Sequence, residues 1–230
     1  MIGIIGALDL ETEALIRDMQ QKEEREISGI RFVEGYWQAR KTVVATSGVG
    51  KVFAALCAEA MILTYRPEVI INSGIAGALD PRLHILNVAV ANSVVQHDID
   101  TCAFGDPPGL IPGIEQVEVP TDRRLAAAFE NAARALGVPV ISGVVASGDQ
   151  FIADQRRKEE IRRVFGAVCC EMEGAAIGQV CRINRVPFAV LRTISDEAAD
   201  RAKLDYPAFA AAAAEQGYQI LKKAWEELAQ

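Results

Sequence analysis

Short apolar runs alternate along the chain with segments whose apolar residues recur every three or four positions. Residues 2–5 form a run of buried-strand type, and Leu10, Ala14, Leu15 and Met19 then follow at helical spacing, with Asp9 placed to cap the first turn. Residues 43–46 predict a second strand that ends in Ser47-Gly48-Val49-Gly50. A helix follows, carried by Val52, Ala55, Leu56, Ile62 and Leu63, with Glu59 on its other face. Residues 69–72 predict a buried strand ending in Ser73-Gly74-Ile75-Ala76-Gly77, and residues 86–95 a further one. The proline- and glycine-rich stretch 106–113 reads as an exposed loop.

The alternation continues to the end of the chain. Leu125, Phe129, Ala132, Ala133 and Leu136 mark a helix, and residues 138–146 a strand closed by Ser147-Gly148-Asp149. Residues 167–170 lead through Glu171-Met172-Glu173-Gly174 into a helix of small residues, and 188–194 form a strand that runs into Ser195-Asp196. The last helix, 206–228, turns Phe209, Ala213, Ile220, Leu221, Ala224 and Leu228 inward. Strand and helix in this order predict an α/β fold with a largely parallel sheet, whose ligands bind beyond the carboxyl ends of the strands.

Glycines and carboxylates collect at those ends: Glu11, the Ser47, Ser73 and Ser147 turns, Glu173 and Asp196. Glycine lets a backbone approach a ligand closely, and carboxylates supply acid, base and hydroxyl-binding groups. Taken singly, these residues are equally well turn punctuation and helix caps. Their joint placement favours a site.

Composition narrows the chemistry. A chain of 230 residues, 50% of them hydrophobic, supports one substantial core, and one domain over 1–230 is expected. A net charge of -7 repels phosphate backbones, so no nucleic-acid partner is expected. The five cysteines are odd in number and show no CxxC spacing; adjacent Cys169 and Cys170 read as small buried hydrophobes, which suits a reducing compartment. The apolar start lacks a basic segment, and no run is long enough to span a membrane, so a cytoplasmic location without membrane attachment is expected. Ala45 and Val52 break a phosphate loop around Gly50-Lys51. With only His84 and His97, no HExxH and no G-x-S-x-G elbow, neither a zinc site nor a serine triad is expected, and no metal or cofactor is called for.

Several motifs resemble the 5′-methylthioadenosine/S-adenosylhomocysteine nucleosidases. These are residues 2–7 followed by Glu11, Ser47-Gly48-Val49-Gly50-Lys51-Val52, residues 71–77, His97-Asp98-Ile99-Asp100, Ala103-Phe104-Gly105 and Pro112-Gly113. The strongest are Ser147-Gly148-Asp149-Gln150-Phe151-Ile152, Glu171-Met172-Glu173-Gly174-Ala175-Ala176 and Arg192-Thr193-Ile194-Ser195-Asp196. They stand in family order over essentially the whole chain.

The resemblance implies a single nucleoside-phosphorylase-type α/β domain with a mixed, twisted, partly closed sheet flanked by helices. It also implies a homodimer acting on an adenine nucleoside without a cofactor. Asp196 would protonate adenine N7, Glu11 would activate water, and Glu173 would hold the ribose hydroxyls above Met172. Phe151 would stack on adenine, and the Ile152 backbone would read its edge. Ser195 would orient Asp196, and Arg192 would lie near Glu11 and the water. Val49 and Leu8 would line the 5′ side, Phe104 would enter from the partner subunit, and Gly77 would let the backbone approach the ligand. His97 and Asp98 would organise the loop that carries Phe104. Ile75, Thr101, Leu8, Tyr206 and the Asp106-Pro107-Pro108 loop depart from common family residues and bear on the 5′ preference. A nucleoside phosphorylase, a nucleosidase for 5′-deoxyadenosine or 6-amino-6-deoxyfutalosine, and a non-catalytic nucleoside binder are the alternatives.

Overall fold

A computed structural model describes residues 1–196 and 202–228, with the side chains of 202–205 left out. The first half runs β1 (Ile2–Gly6), α1 (Asp9–Asp18), β2 (Gln20–Ile27), β3 (Ile30–Trp37), β4 (Arg40–Thr46), α2 (Lys51–Tyr65), β5 (Val69–Ala78) and β6 (Val88–Gln96). The second half runs β7 (Val119–Pro120), α3 (Arg123–Ala135), β8 (Val140–Ser147), α4 (Gln155–Phe165), β9 (Ala167–Glu171), α5 (Gly174–Asn184), β10 (Phe188–Asp196) and α6 (Ala202–Leu228). None of the described helices is long and apolar enough to cross a membrane.

All the described strands join one mixed sheet, in the order β10-β6-β8-β9-β5-β1-β4-β3-β2, with β7 beside β6. A further pairing of β10 with β5 closes β5, β10, β6, β8 and β9 into a ring, from which β1, β4, β3 and β2 extend. The expected fold class is therefore found, but the sheet is less parallel than alternation alone suggests: β3–β4, β2–β3, β5–β9 and β6–β10 are antiparallel.

The core lies on both faces of the sheet. One cluster packs Met61 of α2 and Ile177 of α5 against Ile5, Phe32 and Ile70. The other packs Phe129 of α3 and Ile220 of α6 against Ile4, Val90 and Leu191.

Several expectations need correction. Leu8, not Asp9, occupies the cap of α1, because Glu11 bonds back to the Leu8 N–H from within the first turn. Ser73–Gly77 lies inside β5 rather than beyond it, since β10 and β9 pair alongside that segment. The inward face of α2 is Ala54, Cys57, Ala58, Met61 and Ile62, while Val52, Leu56 and Leu63 are 77%, 41% and 66% exposed. That helix is apolar almost all round, so periodicity cannot choose its buried face. Phe209 is likewise exposed rather than turned inward. The β2–β3 hairpin and α4 have no counterpart in the sequence reading. β2 is polar and exposed along nearly its whole length, as suits a guarded edge strand, and α4 buries only Lys158 and Ile161.

Phe129 is fully buried in the α3 cluster, away from the carboxylates of the strand ends. Phe129→Ala should lower unfolding free energy by about 3–5 kcal/mol in chemical denaturation, the usual range for emptying such a site. Turnover per folded molecule should be unchanged.

Candidate active site

Closure of the strand ring brings the candidate residues together. Gly77 on β5 pairs with Cys170 on β9 and, on its other side, with Asp196 on β10. The register shift between Ile194 and Asp196 leaves Ser195 as the bulged residue. A Cβ on Gly77 would lie 2.9 Å from the Asp196 carboxylate, and one on Gly74 would overlap Arg192 and Glu11. Both positions need glycine for close approach rather than for a turn.

A cavity of about 470 Å³ opens at this junction. Its floor carries Glu11, Glu171, Glu173 and Asp196, and Ile75, Gly77, Met172 and Ser195 fill the wall between them. Leu8, Val49, Phe151 and Tyr206 form the outer rim. The Phe151 and Tyr206 rings meet edge to face at 5.8 Å. Phe151 and Val49 are about half exposed, at 50% and 47%, so the rim is open.

Glu11 sits in the first turn of α1 and is held by backbone donors. Its Oε2 accepts from the N–H groups of Ala7 at 2.6 Å and Leu8 at 3.0 Å, and its Oε1 from Ile75 at 2.9 Å. Burial raises the carboxyl above its ordinary value, against the opposing effect of Arg192 and these N–H groups. Glu173 begins α5 and accepts from the Gly50 N–H at 2.9 Å, which ties the β4–α2 turn to the pocket. Burial, reinforced by the charge of Glu171, raises the Glu173 carboxyl to about 7.

Arg192 is completely buried behind this floor rather than in the pocket lining. Its guanidinium donates to Asn72 Oδ1 and Glu171 Oε2 and lies 3.7 Å from Glu173. Burial alone would lower its pKa, but the charges of Glu171, Glu173 and Glu11 outweigh burial and raise it. Glu171 is further fixed by Ser147 Oγ and by the N–H groups of Glu173 and Gly174, which gives it a structural place.

Asp196 is 2% exposed, accepts from Ser195 Oγ at 3.1 Å, and pairs with Lys158 Nζ at 3.2 Å. Lys158 and the pocket residues Ala7, Ala76 and Cys170 were not among the expected site residues. The one signal for Lys158 was its spacing of three residues from Ile161 on a short amphipathic helix.

Besides Arg192, Ile152 and Phe104 do not line the cavity of their own chain. Ile152 is buried among Val95, Ala146 and Ile161, and Phe104 is 88% exposed on a short turn, Cys102–Phe104. Asp98 carries two bonds of its own. It accepts from Lys51 Nζ at 2.6 Å and the Asp149 N–H at 2.9 Å, and so ties the start of α2 to the loop that carries Phe151.

A family model described as the phosphorylase superfamily matches residues 1–226. The 5′-methylthioadenosine/S-adenosylhomocysteine nucleosidase of Halalkalibacterium halodurans is 38% identical over 209 residues, covering 90% of each chain. The aminodeoxyfutalosine nucleosidase of Campylobacter jejuni is 33% identical over 227 residues, covering 99% of each. A crystal structure of a Helicobacter pylori MTAN mutant with 5′-methylthioadenosine in the active site aligns with a TM-score of 0.94 at 35% identity, covering 98% of each chain.

The raised Glu173 carboxyl makes a stability prediction. A carboxyl whose folded value lies above its unfolded value stabilises the fold at low pH, and that contribution is lost as pH rises from about 4.5 through about 7. Glu173→Gln removes this dependence. Relative to the unmodified chain, the variant should gain on the order of 3 kcal/mol between pH 4.5 and pH 8. Urea denaturation at both pH values checks this, and a pH-independent difference would contradict it.

Proposed function

This chain belongs to the phosphorylase superfamily, within its 5′-methylthioadenosine/S-adenosylhomocysteine nucleosidases, and on that footing we propose that the pocket hydrolyses the N-glycosidic bond of a 5′-substituted adenosine. The observation that carries this reading is the charge of the floor. Glu11, Glu171, Glu173 and Asp196 line it, and no lysine or arginine does so among the described lining residues. Such a floor repels phosphate and suits a neutral water as nucleophile, which favours hydrolysis over phosphorolysis.

Asp196 donates a proton to adenine N7, so that adenine leaves as a neutral base rather than as an anion. The sugar then passes through an oxocarbenium-like state, as in other glycoside cleavages. Glu11 faces it as the base that takes a proton from water, and its buried, raised carboxyl makes it a stronger base than an exposed glutamate. Glu173 holds the ribose hydroxyls over Met172, Phe151 stacks on the adenine, and the Ile152 backbone reads its edge. Ser195 orients Asp196, and Arg192 steadies the carboxylates from behind. Residues 1–230 act as one nucleosidase domain, supported by the single sheet to which every described strand belongs.

The Campylobacter relative favours a second reading for the 5′ side, a larger substituent of the aminodeoxyfutalosine type. The open rim at Val49 and Leu8 is compatible with either.

The active form is a homodimer. Val52, Phe53, Leu56 and Leu63 on α2, with Ile183 and Phe104, present large apolar side chains to solvent on one chain. A second copy covers them and brings its Phe104 to the open 5′ rim. The enzyme works in the cytoplasm, which its free cysteines suit.

Incubation with methylthioadenosine, S-adenosylhomocysteine, 5′-deoxyadenosine and aminodeoxyfutalosine should release adenine at rates independent of phosphate. A sugar 1-phosphate product would contradict hydrolysis. Asp196→Asn should lower kcat by about 10²–10⁴-fold, the usual loss for a general acid, and Glu11→Gln should act similarly, both with little change in nucleoside affinity. Glu173→Gln should weaken binding as well.

The dimer is checked by sedimentation. Leu56→Asp should yield monomers of reduced activity. Phe104→Ala should raise KM for 5′-alkylthio substrates more than for 5′-deoxyadenosine. A fully active monomer would overturn this assignment.

A further inference from the structure

Asp196 is neutralised differently from the other carboxylates of the floor. Glu11 is held by backbone N–H groups, and Glu171 and Glu173 by backbone N–H groups together with Arg192. Asp196 instead faces a lysine, Lys158 Nζ at 3.2 Å, and the two side chains are 4% and 3% exposed. Lysine is almost never buried to this degree without a partner. Lys158 reaches this position from the first turn of α4, whose cap Asp154 holds the turn through the Arg157 N–H.

The pair also divides two cavities. Asp196 lines the nucleoside pocket, while Lys158 lines a second cavity of about 420 Å³ beside Leu79, Asp80, Gln155 and Glu159. A nucleoside seated in the first cavity would meet Asp196, while Lys158 also borders the second.

We propose that Lys158 supplies, through Asp196, the proton that the departing adenine takes at N7, so that the acid of this site is the Lys158–Asp196 pair. The proposal rests on the nucleosidase reading above. An ionised aspartate has no proton to give, but an ionised aspartate with an ammonium behind it has one. As the glycosidic bond breaks, its electron pair passes into the adenine ring. N7 gains a proton from the Asp196 carboxyl, and that carboxyl gains one from Lys158, whose N–H bond breaks. Adenine leaves neutral, Asp196 ends as it began, and Lys158 is left a neutral amine. The proton that water gives to Glu11 returns to solvent, and Lys158 takes one from solvent by way of the second cavity, so no proton is consumed overall. Lys158 acts through Asp196 and is a positioning residue, not one that touches the substrate.

The other titratable groups facing the pair are few among the described residues. Cys170 on β9 feels both charges, and burial pushes its thiol up to about 12. Tyr206 on α6 feels Asp196 and is raised above its ordinary value by burial. On the second cavity Asp80 is lowered to about 2 by its bond to Arg82, and Glu159 and Arg162 complete the wall. Cys170 and Tyr206 therefore stay neutral, and Asp80 ionised, across the neutral range.

The test compares Lys158→Arg and Lys158→Met with the unmodified enzyme. Arginine retains the buried cation but is effectively always protonated, so it cannot pass a proton on. Adenine release by the unmodified enzyme without phosphate comes first, and its absence would overturn the nucleosidase reading itself. With that release in hand, both variants should bind a non-hydrolysable adenine nucleoside analogue about as tightly as before. Both should lose at least about tenfold in kcat at pH 8, within the range for general-acid catalysis. The descending limb of kcat against pH should move to lower pH in each. An arginine variant with unchanged kcat and an unchanged limb would show that only the charge matters and would overturn the proposal. A methionine variant unchanged in both would reduce Lys158 to packing and overturn it equally. The arginine variant carries the test alone if the methionine variant does not fold.

Discussion

Three carboxylates can share one buried wall because a guanidinium lies behind them. Arg192 is fully enclosed, bonded to Glu171 and Asn72, and close enough to Glu173 and Glu11 for its charge to be felt by both. Like charges at such separations repel by several kcal/mol at the effective dielectric of a protein interior, and each also loses its hydration. Without a central cation the carboxyls would take up protons, and a water-activating base would be lost with them. The strand β10 that carries Arg192 also ends in Asp196, so the same segment that stabilises the carboxylate wall delivers the proposed acid.

The second constraint is geometric. β5 must pair with β9 and β10 at once for the ring to close, and both pairings meet at Gly77. There the Glu171–Glu173 segment and Asp196 arrive on opposite sides of one residue that has no side chain to separate them. A substituent at Gly77 would push directly on the Asp196 carboxylate. The mixed character of the sheet is thus part of how the site is assembled, since the ring needs both the parallel β5–β10 and the antiparallel β5–β9 pairing.

The rim is built more loosely than the floor. Phe151 and Tyr206 rest on one another, Val49 projects from the β4–α2 turn, and Asp98 holds that turn to the Phe151 loop through Lys51 and Asp149. A rigid floor suits chemistry that needs fixed proton positions, and a more open rim suits variation in the 5′ group.

Local sequence determined a large part of this. Apolar runs marked β1, β4, β5, β6, β8, β9 and β10, because strands buried on both faces are continuous in hydrophobicity, and the motifs ending in Glu11, Glu173 and Asp196 marked the floor. The polar edge strand β2 was illegible, since an exposed strand bonded along one side has no apolar alternation to display. The buried face of α2 was equally hidden, because a helix apolar all round is oriented only by its neighbours. Ring closure was decided by the β5–β10 and β5–β9 pairings between segments far apart in the chain. Lys158 shows the limit most clearly: in the chain it is one charge in an Arg-Arg-Lys-Glu-Glu run, with the pattern of a solvated helix face. Only the packing of α4 against β9 points that one lysine inward to Asp196, because burial and pairing depend on distance in space, which a one-dimensional pattern does not contain.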